Sequence, residues 1–258
     1  MWFHLAMASV ASVATMRAAM ERGDVDEAAR QGVIAGPAVV EAALAAPDRA
    51  ARLAAIVAAP DVEGRAELLD ALAIAAAGPD RRTAIPAARA ARTIALELAR
   101  RDLPDEIAGD DAIVWRDAWA TLAMRRDRWI ELRVFALETA AALDRAAAPP
   151  GIPPGTGVSL ETALADPDPA FRRAAVHAVA SPVSPPQRAH LAGVLAKDID
   201  ADVALAAANV MCFDLVDGPA APVLDAIDAS GMARLKTLVA AAKPKAHRDA
   251  RRCLTAKR

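Results

Sequence analysis

The sequence predicts an all-α protein, an α-α superhelix of stacked helical pairs, and three observations lead there. First, a proline-aspartate corner recurs before an alanine-rich stretch carrying an arginine: Pro47-Asp48 before Arg52, Pro79-Asp80 before Arg81 and Arg82, and Pro167-Asp168-Pro169 before Arg172 and Arg173. Second, the corners keep a period, 32 residues from Asp48 to Asp80 and 32 from Asp168 to Asp200. A fixed period of roughly 20 to 50 residues marks units that stack on their neighbours. Third, 71 of the 258 residues are alanine, tyrosine is absent and aromatics make up 3%. Alanine has the best helix propensity and loses no side-chain entropy on folding. Small alanine faces also let helix axes approach closely.

The elements follow in order. An apolar run opens the chain and predicts a first helix over residues 10–20, broken at Gly23-Asp24. Asp24 is placed to cap a short helix over 25–31, which ends at Gly32 and the Gly36-Pro37 corner. Helical spacing returns over 38–46 and 49–58, with Pro47-Asp48 as the joint. Proline fixes a helix start without losing a hydrogen bond, and the aspartate accepts from the free amides of the first turn. Pro60-Asp61 precedes a helix over 62–76, and Gly78-Pro79-Asp80 precedes one over 82–101. Pro86 either bends that helix or moves its start to about Ile85. Helices over 112–125 and 128–147 complete a first block.

Residues 149–157 hold four prolines and three glycines and predict an extended linker. The second block reads as helices over 160–165, 169–180, 186–195, 201–215, 221–229, 232–242 and 246–256. The domain plan is therefore an N-terminal apolar segment (1–22), block one (23–148), the linker (149–157) and block two (158–258) with a basic terminal cap.

Charge is uneven although the net is −2: residues 232–258 carry nine lysines or arginines against one acid, Asp249. This end reads as the polar cap that a stack of repeats needs, and Arg248, Arg251 and Arg252 are the candidate anion contacts. No uninterrupted apolar stretch is long enough to cross a membrane. The run from Trp2 to Ala14, with Ser12-Val13-Ala14, resembles the end of an export signal but lacks a basic start. The alternative is a first helix packed on the stack; export to a periplasm-like space is favoured over the cytoplasm. Cys212 and Cys253 are an even pair on helices 41 residues apart. They read as a bridge in an oxidising compartment or as two buried thiols, and the bridge is preferred.

The corners resemble those of HEAT repeats, two-helix units that stack into superhelical scaffolds. The best match is Asp166-Pro167-Asp168-Pro169-Ala170-Phe171-Arg172-Arg173-Ala174-Ala175-Val176; residues 48–55, 129–136 and 200–208 are fair ones. The resemblance covers about residues 33–242. It implies an inter-repeat ladder of aspartates and arginines, here Asp48 with Arg52 and Asp168 with Arg172. The copy at Asp200 has Ala204 in place of the arginine, so the ladder is expected to break there. A rival likeness to tetratricopeptide repeats rests on Arg22-Gly23-Asp24-Val25-Asp26-Glu27-Ala28-Ala29 and extends to one unit at most.

Chemistry is sparse. There is no phosphate-cradling glycine loop and no nucleophile elbow, and His4, His177, His190 and His247 lie too far apart to pair as metal ligands on one helix. No catalytic residue, cofactor or metal is expected. One cluster, Trp115, Arg116, Asp117, Trp119, Arg125, Arg126, Arg128 and Trp129, is similar to the lesion pocket of alkylpurine DNA glycosylases. A DNA groove needs strong positive charge, yet residues 81–145 carry twelve basic against eleven acidic side chains. Tryptophans filling the core of a long helix pair explain the cluster better. The expected function is a non-catalytic, monomeric scaffold that binds a protein or peptide on its concave face. The alternative is a nucleic-acid binder or glycosylase-like enzyme centred on Trp115, Asp117 and Trp119.

Overall fold

The computed structural model describes residues 2–100, 109–147, 159–179, 183–216, 218–242 and 247–256. Among the described residues the protein is all-helical, with fifteen α-helices and three short 3₁₀ turns. It divides into two compact units, residues 1–147 and 148–258. The predicted linker lies outside the described residues.

The first unit holds α1 (Trp2–Glu21), α2 (Val25–Ala35), α3 (Pro37–Leu44), α4 (Arg49–Ala58), α5 (Leu69–Ala77), α6 (Arg81–Leu98), α7 (Gly109–Ala123) and α8 (Ile130–Ala147). Successive helices pair as α1–α2, α3–α4, α5–α6 and α7–α8. The pairs stack in two layers: α2, α4, α6 and α8 neighbour one another in turn, and so do α1, α3, α5 and α7. Small residues make this stacking possible. A Cβ on Gly32 would lie 2.3 Å from the Cβ of Ala58, so α2 could not approach α4 with any larger residue there. Gly36 takes φ +85°, a left-handed conformation that turns α2 directly into α3. The layer of α6 and α8 is tied by ion pairs of Arg81 with Glu131 and Arg92 with Glu138, and by Arg89 and Arg92 over the Phe135 ring.

Local departures from the sequence expectation have physical causes. Helix α1 begins at Trp2, well before residue 10, because no breaker interrupts the run up to Gly23. The helix expected over 62–76 is split: Gly64 at φ +72° starts a 3₁₀ turn, Arg65–Leu68, and α5 follows. Pro86 moves nothing; α6 starts at Arg81 because the Asp80 carboxylate accepts from the Arg82 N–H, and the proline rides inside the helix.

The second unit holds α9 (Leu160–Leu164), α10 (Pro169–Ala178), α11 (Pro185–Lys197), α12 (Ala201–Phe213), α13 (Ala221–Ala226), α14 (Ala229–Ala241) and α15 (Arg248–Thr255). Here α10, α12 and α15 form one layer and α9, α11 and α14 the other. The core is Val176, Leu191, Leu195, Val203, Met211 and Leu235, with Cys212 and Cys253 among them. The last helix is docked differently from the others. It has no aspartate at its start; His247 occupies that place at φ +58°, and Asn209 on α12 caps it from outside, its Oδ1 accepting from the Ala250 N–H at 2.9 Å. Three residues further along α12, Cys212 is disulfide-bonded to Cys253, with 5.7 Å between the Cα atoms.

Candidate functional site

At the Asp48, Asp80, Asp168 and Asp200 corners the aspartate caps the helix that follows. The Asp48 carboxylate accepts from the Ala51 N–H at 2.8 Å, and the Asp168 carboxylate accepts from the Ala170 N–H at 2.8 Å. Asp80 and Asp200 do the same for α6 and α12. Thr83 Oγ1 also donates to Asp80, and this hydrogen bond, ahead of the Arg82 N–H and the nearby Arg49 and Arg52, holds the Asp80 carboxyl below its ordinary value against the cost of burial.

The aspartates are therefore not rungs of a ladder with the arginines four residues on, as the sequence predicts for Asp48 with Arg52 and Asp168 with Arg172. A side chain that caps the first turn points at backbone amides, while the arginine leans back over the corner. Arg172 Nη1 donates to the carbonyls of Asp166 and Pro167 at 2.9 and 3.1 Å. Its opposite edge, Nε and Nη2, grips the Asp198 carboxylate of the next corner at 2.8 and 2.9 Å. Both side chains are enclosed, 9% and 6% exposed. Burial opposes the charge on Asp198, but Arg172 and the Asp200 N–H outweigh it and keep the carboxyl below the usual range. The rung exists, with Asp198 as its acid. Arg234 on α14 donates to the Asp198 carbonyl, the place an arginine at position 204 would hold, but this is a backbone contact and Ala204 sends no rung on to a later corner.

The same construction stands 120 residues earlier with one part missing. Arg52 Nη1 donates to the carbonyls of Ala46 and Pro47, both at 2.7 Å. The next corner is likewise held by an arginine from the following pair, Arg128, which donates to the carbonyls of Ala77 and Gly78 at 2.6 and 3.1 Å. The residue matching Asp198 is Gly78. Among the described residues nothing meets Arg52 Nε or Nη2. A cleft of about 400 Å³ opens there, lined by Leu44, Ala46, Arg52, Ile74, Gly78 and Asp80 among others. Ile74 is 76% exposed. Its counterpart cleft in the second unit, about 300 Å³, is lined by Leu164, Val194 and Asp198, and Arg172 is not part of its wall.

The other candidates fare as follows. Trp119 is fully buried and Trp115 nearly so, while Asp117 is exposed and paired with Arg116. The three do not converge in an open cleft, because the two i, i+4 tryptophans of α7 are buried whereas Asp117, two residues from each, is exposed. The buried Trp119 N–H meets no acceptor among the described residues. Arg116 reaches Asp144 on α8 at 2.7 Å, which raises its pKa above the ordinary value and ties the pair together. In α15, Arg252 and Arg248 both pair with Asp249, and Arg251 donates to the Val239 carbonyl. Arg251 and Arg252 are held within the terminal helix and its neighbour, while Arg248 points outward, 77% exposed. No helix among the described residues is long and apolar enough to cross a membrane, and no cluster of metal-ligating side chains occurs among them.

Sequence reasoning missed Asp198, Arg234 and Asn209. The signal for Asp198 was present: aligning the two blocks at the shared corner spacing sets Gly78 against an aspartate.

No protein-family model matches the chain, and no curated protein matches it. Among solved structures it is similar to the crystal structure of an engineered protein, a Northeast Structural Genomics Consortium target, at 19% identity and a TM-score of 0.38 over 96% of this chain and 85% of that one.

Proposed function

We propose that the protein is a HEAT-like repeat scaffold that binds a protein or peptide on its concave face, acting as a monomer and without catalysis of its own. The observation that carries this reading is the repeated corner: helix pairs stack on shared corners in each unit, and a stack of that kind presents extended surface rather than one enclosed chamber. Fold alone does not assign function; the open cleft beside Arg52, rimmed by exposed apolar surface, adds a place for a partner to dock. The Cys212–Cys253 bridge supports an oxidising compartment, and with it the exported location. The nucleic-acid alternative has no observation in its favour, since it needs Trp119 open to solvent.

The test is affinity capture from the native host, with cross-linking before lysis and mass spectrometry of the eluate. A protein that cross-links to lysines or carboxylates of the helical stack supports the scaffold. Recovery of no protein, together with a turnover assay that finds a reaction, overturns it.

A further inference from the structure

The two units build the same corner, and the second one records what its arginine is shaped to hold. In both, Nη1 is fixed by two backbone carbonyls, so the guanidinium plane is set before anything binds. In the second unit the preset Nε–Nη2 edge takes a carboxylate in the two-pronged geometry that arginine and carboxylate favour. In the first unit the residue that would supply the carboxylate is Gly78, and the space is a cleft bearing exposed Ile74. We propose that this cleft is a receptor for an acidic peptide: an aspartate or glutamate side chain occupies the Arg52 edge, and an apolar neighbour of that residue lies on Leu44 and Ile74. The proposal rests on the scaffold reading and names its docking point.

The charges around the cleft agree. Asp80 lines it, but its carboxylate is engaged by Thr83 and the Arg82 N–H, and Arg49 as well as Arg52 lies close enough to act on it. Asp200 stands in the same relation to Arg172, and there Arg172 still holds Asp198. A resident capping carboxylate therefore leaves room for a second one on the outer edge. The chemistry selects a carboxylate over a neutral amide, because the bidentate, charge-assisted pair is lost when one oxygen becomes an NH2.

The test uses the full-length protein, labelled with ¹⁵N, and two blocked peptides, acetyl-Ala-Leu-Asp-Leu-Ala-amide and its asparagine counterpart. The aspartate peptide should move the Arg52 Nε–H signal saturably, with affinity about tenfold or more above that of the asparagine peptide. Gly78→Asp keeps Arg52 and supplies the missing acid from within, so it should abolish the response while leaving the circular dichroism unchanged. Arg52→Gln should abolish it as well. Equal binding of the two peptides, no shift at Arg52, or undiminished binding to Gly78→Asp overturns the site. A native partner captured equally by the wild type and by Gly78→Asp would also overturn it and leave the scaffold reading standing.

Discussion

Arg52 and Arg172 sit on matching corners of the two units, hold matching pairs of carbonyls, and differ in what meets their outer edge. Asp198 closes one; Gly78 leaves the other open. A single position 26 residues downstream of the arginine thus decides whether a corner serves as a rung between repeats or as a socket. The difference extends to stability. The second unit carries an enclosed ion pair and a disulfide, while the first relies on more helix pairs, close alanine packing and less fully enclosed ion pairs such as Arg65 with Glu97.

The largest effect should come from opening the closed corner. Asp198→Ala leaves Arg172 enclosed without its counter-charge, a loss of about 3–5 kcal/mol. All four tryptophans lie in the first unit. Denaturant unfolding followed by far-ultraviolet circular dichroism should therefore show an early transition that tryptophan fluorescence does not report. If fluorescence shifts equally, the units are coupled and the comparison fails. The pair also makes a pH prediction. The folded pKa of Asp198 is depressed, so its contribution is complete above the unfolded carboxylate value of about 3.9 and fades as pH falls from there through the folded value. As pH falls below about 4 the second unit should weaken in the wild type, and Asp198→Asn should remove that part of the slope.

Next comes the staple. Replacing both Cys212 and Cys253 by serine should cost the second unit about 3 kcal/mol, since the bridge closes a long loop. Amide exchange should rise first in α15. If α15 stays protected, Asn209 and the packing of Ala250 hold it without help.

The sequence made the helices, the corners and the period legible because these are local: alanine-rich runs, a capping aspartate, proline at the first turn. The disulfide was legible from parity and helix spacing. What stayed hidden were partners chosen across repeats. Asp48 and Asp168 carry the composition of a ladder acid, but a residue that caps its own helix cannot also face the arginine a turn later; the acid had to come from the following corner, where Asp198 lies in a weaker motif. Asn209 gave no signal, since an asparagine inside a helix is ordinary until the helix beside it lacks a cap. Trp119 was read from spacing as core-filling, and the fully buried ring agrees.

Filling the socket should produce a smaller change of opposite sign. Gly78→Asp should stabilise the first unit by about 1 kcal/mol through a new pair with half-buried Arg52, the scale of a partly exposed, hydrogen-bonded ion pair. A Cβ at Gly78 would lie 3.1 Å from the Ala75 carbonyl oxygen, and that tight approach subtracts from the gain. Tryptophan fluorescence reads this one directly. A destabilised first unit would mean that the two corners are not equivalent in shape.

The smallest and most discriminating comparison is between the two aspartates that the sequence cast as rungs. Each caps one backbone amide at 2.8 Å and neither meets the arginine of its own helix. Asp48→Ala and Asp168→Ala should therefore each cost about 1 kcal/mol, the usual loss of an N-cap, each in its own unit. The equality is the point, because the surroundings differ so much: one cap stands beside an open guanidinium and the other beside a closed ion pair. If Asp168→Ala instead costs as much as Asp198→Ala, Asp168 contributes to holding Arg172, and the ladder has two acids per rung rather than one.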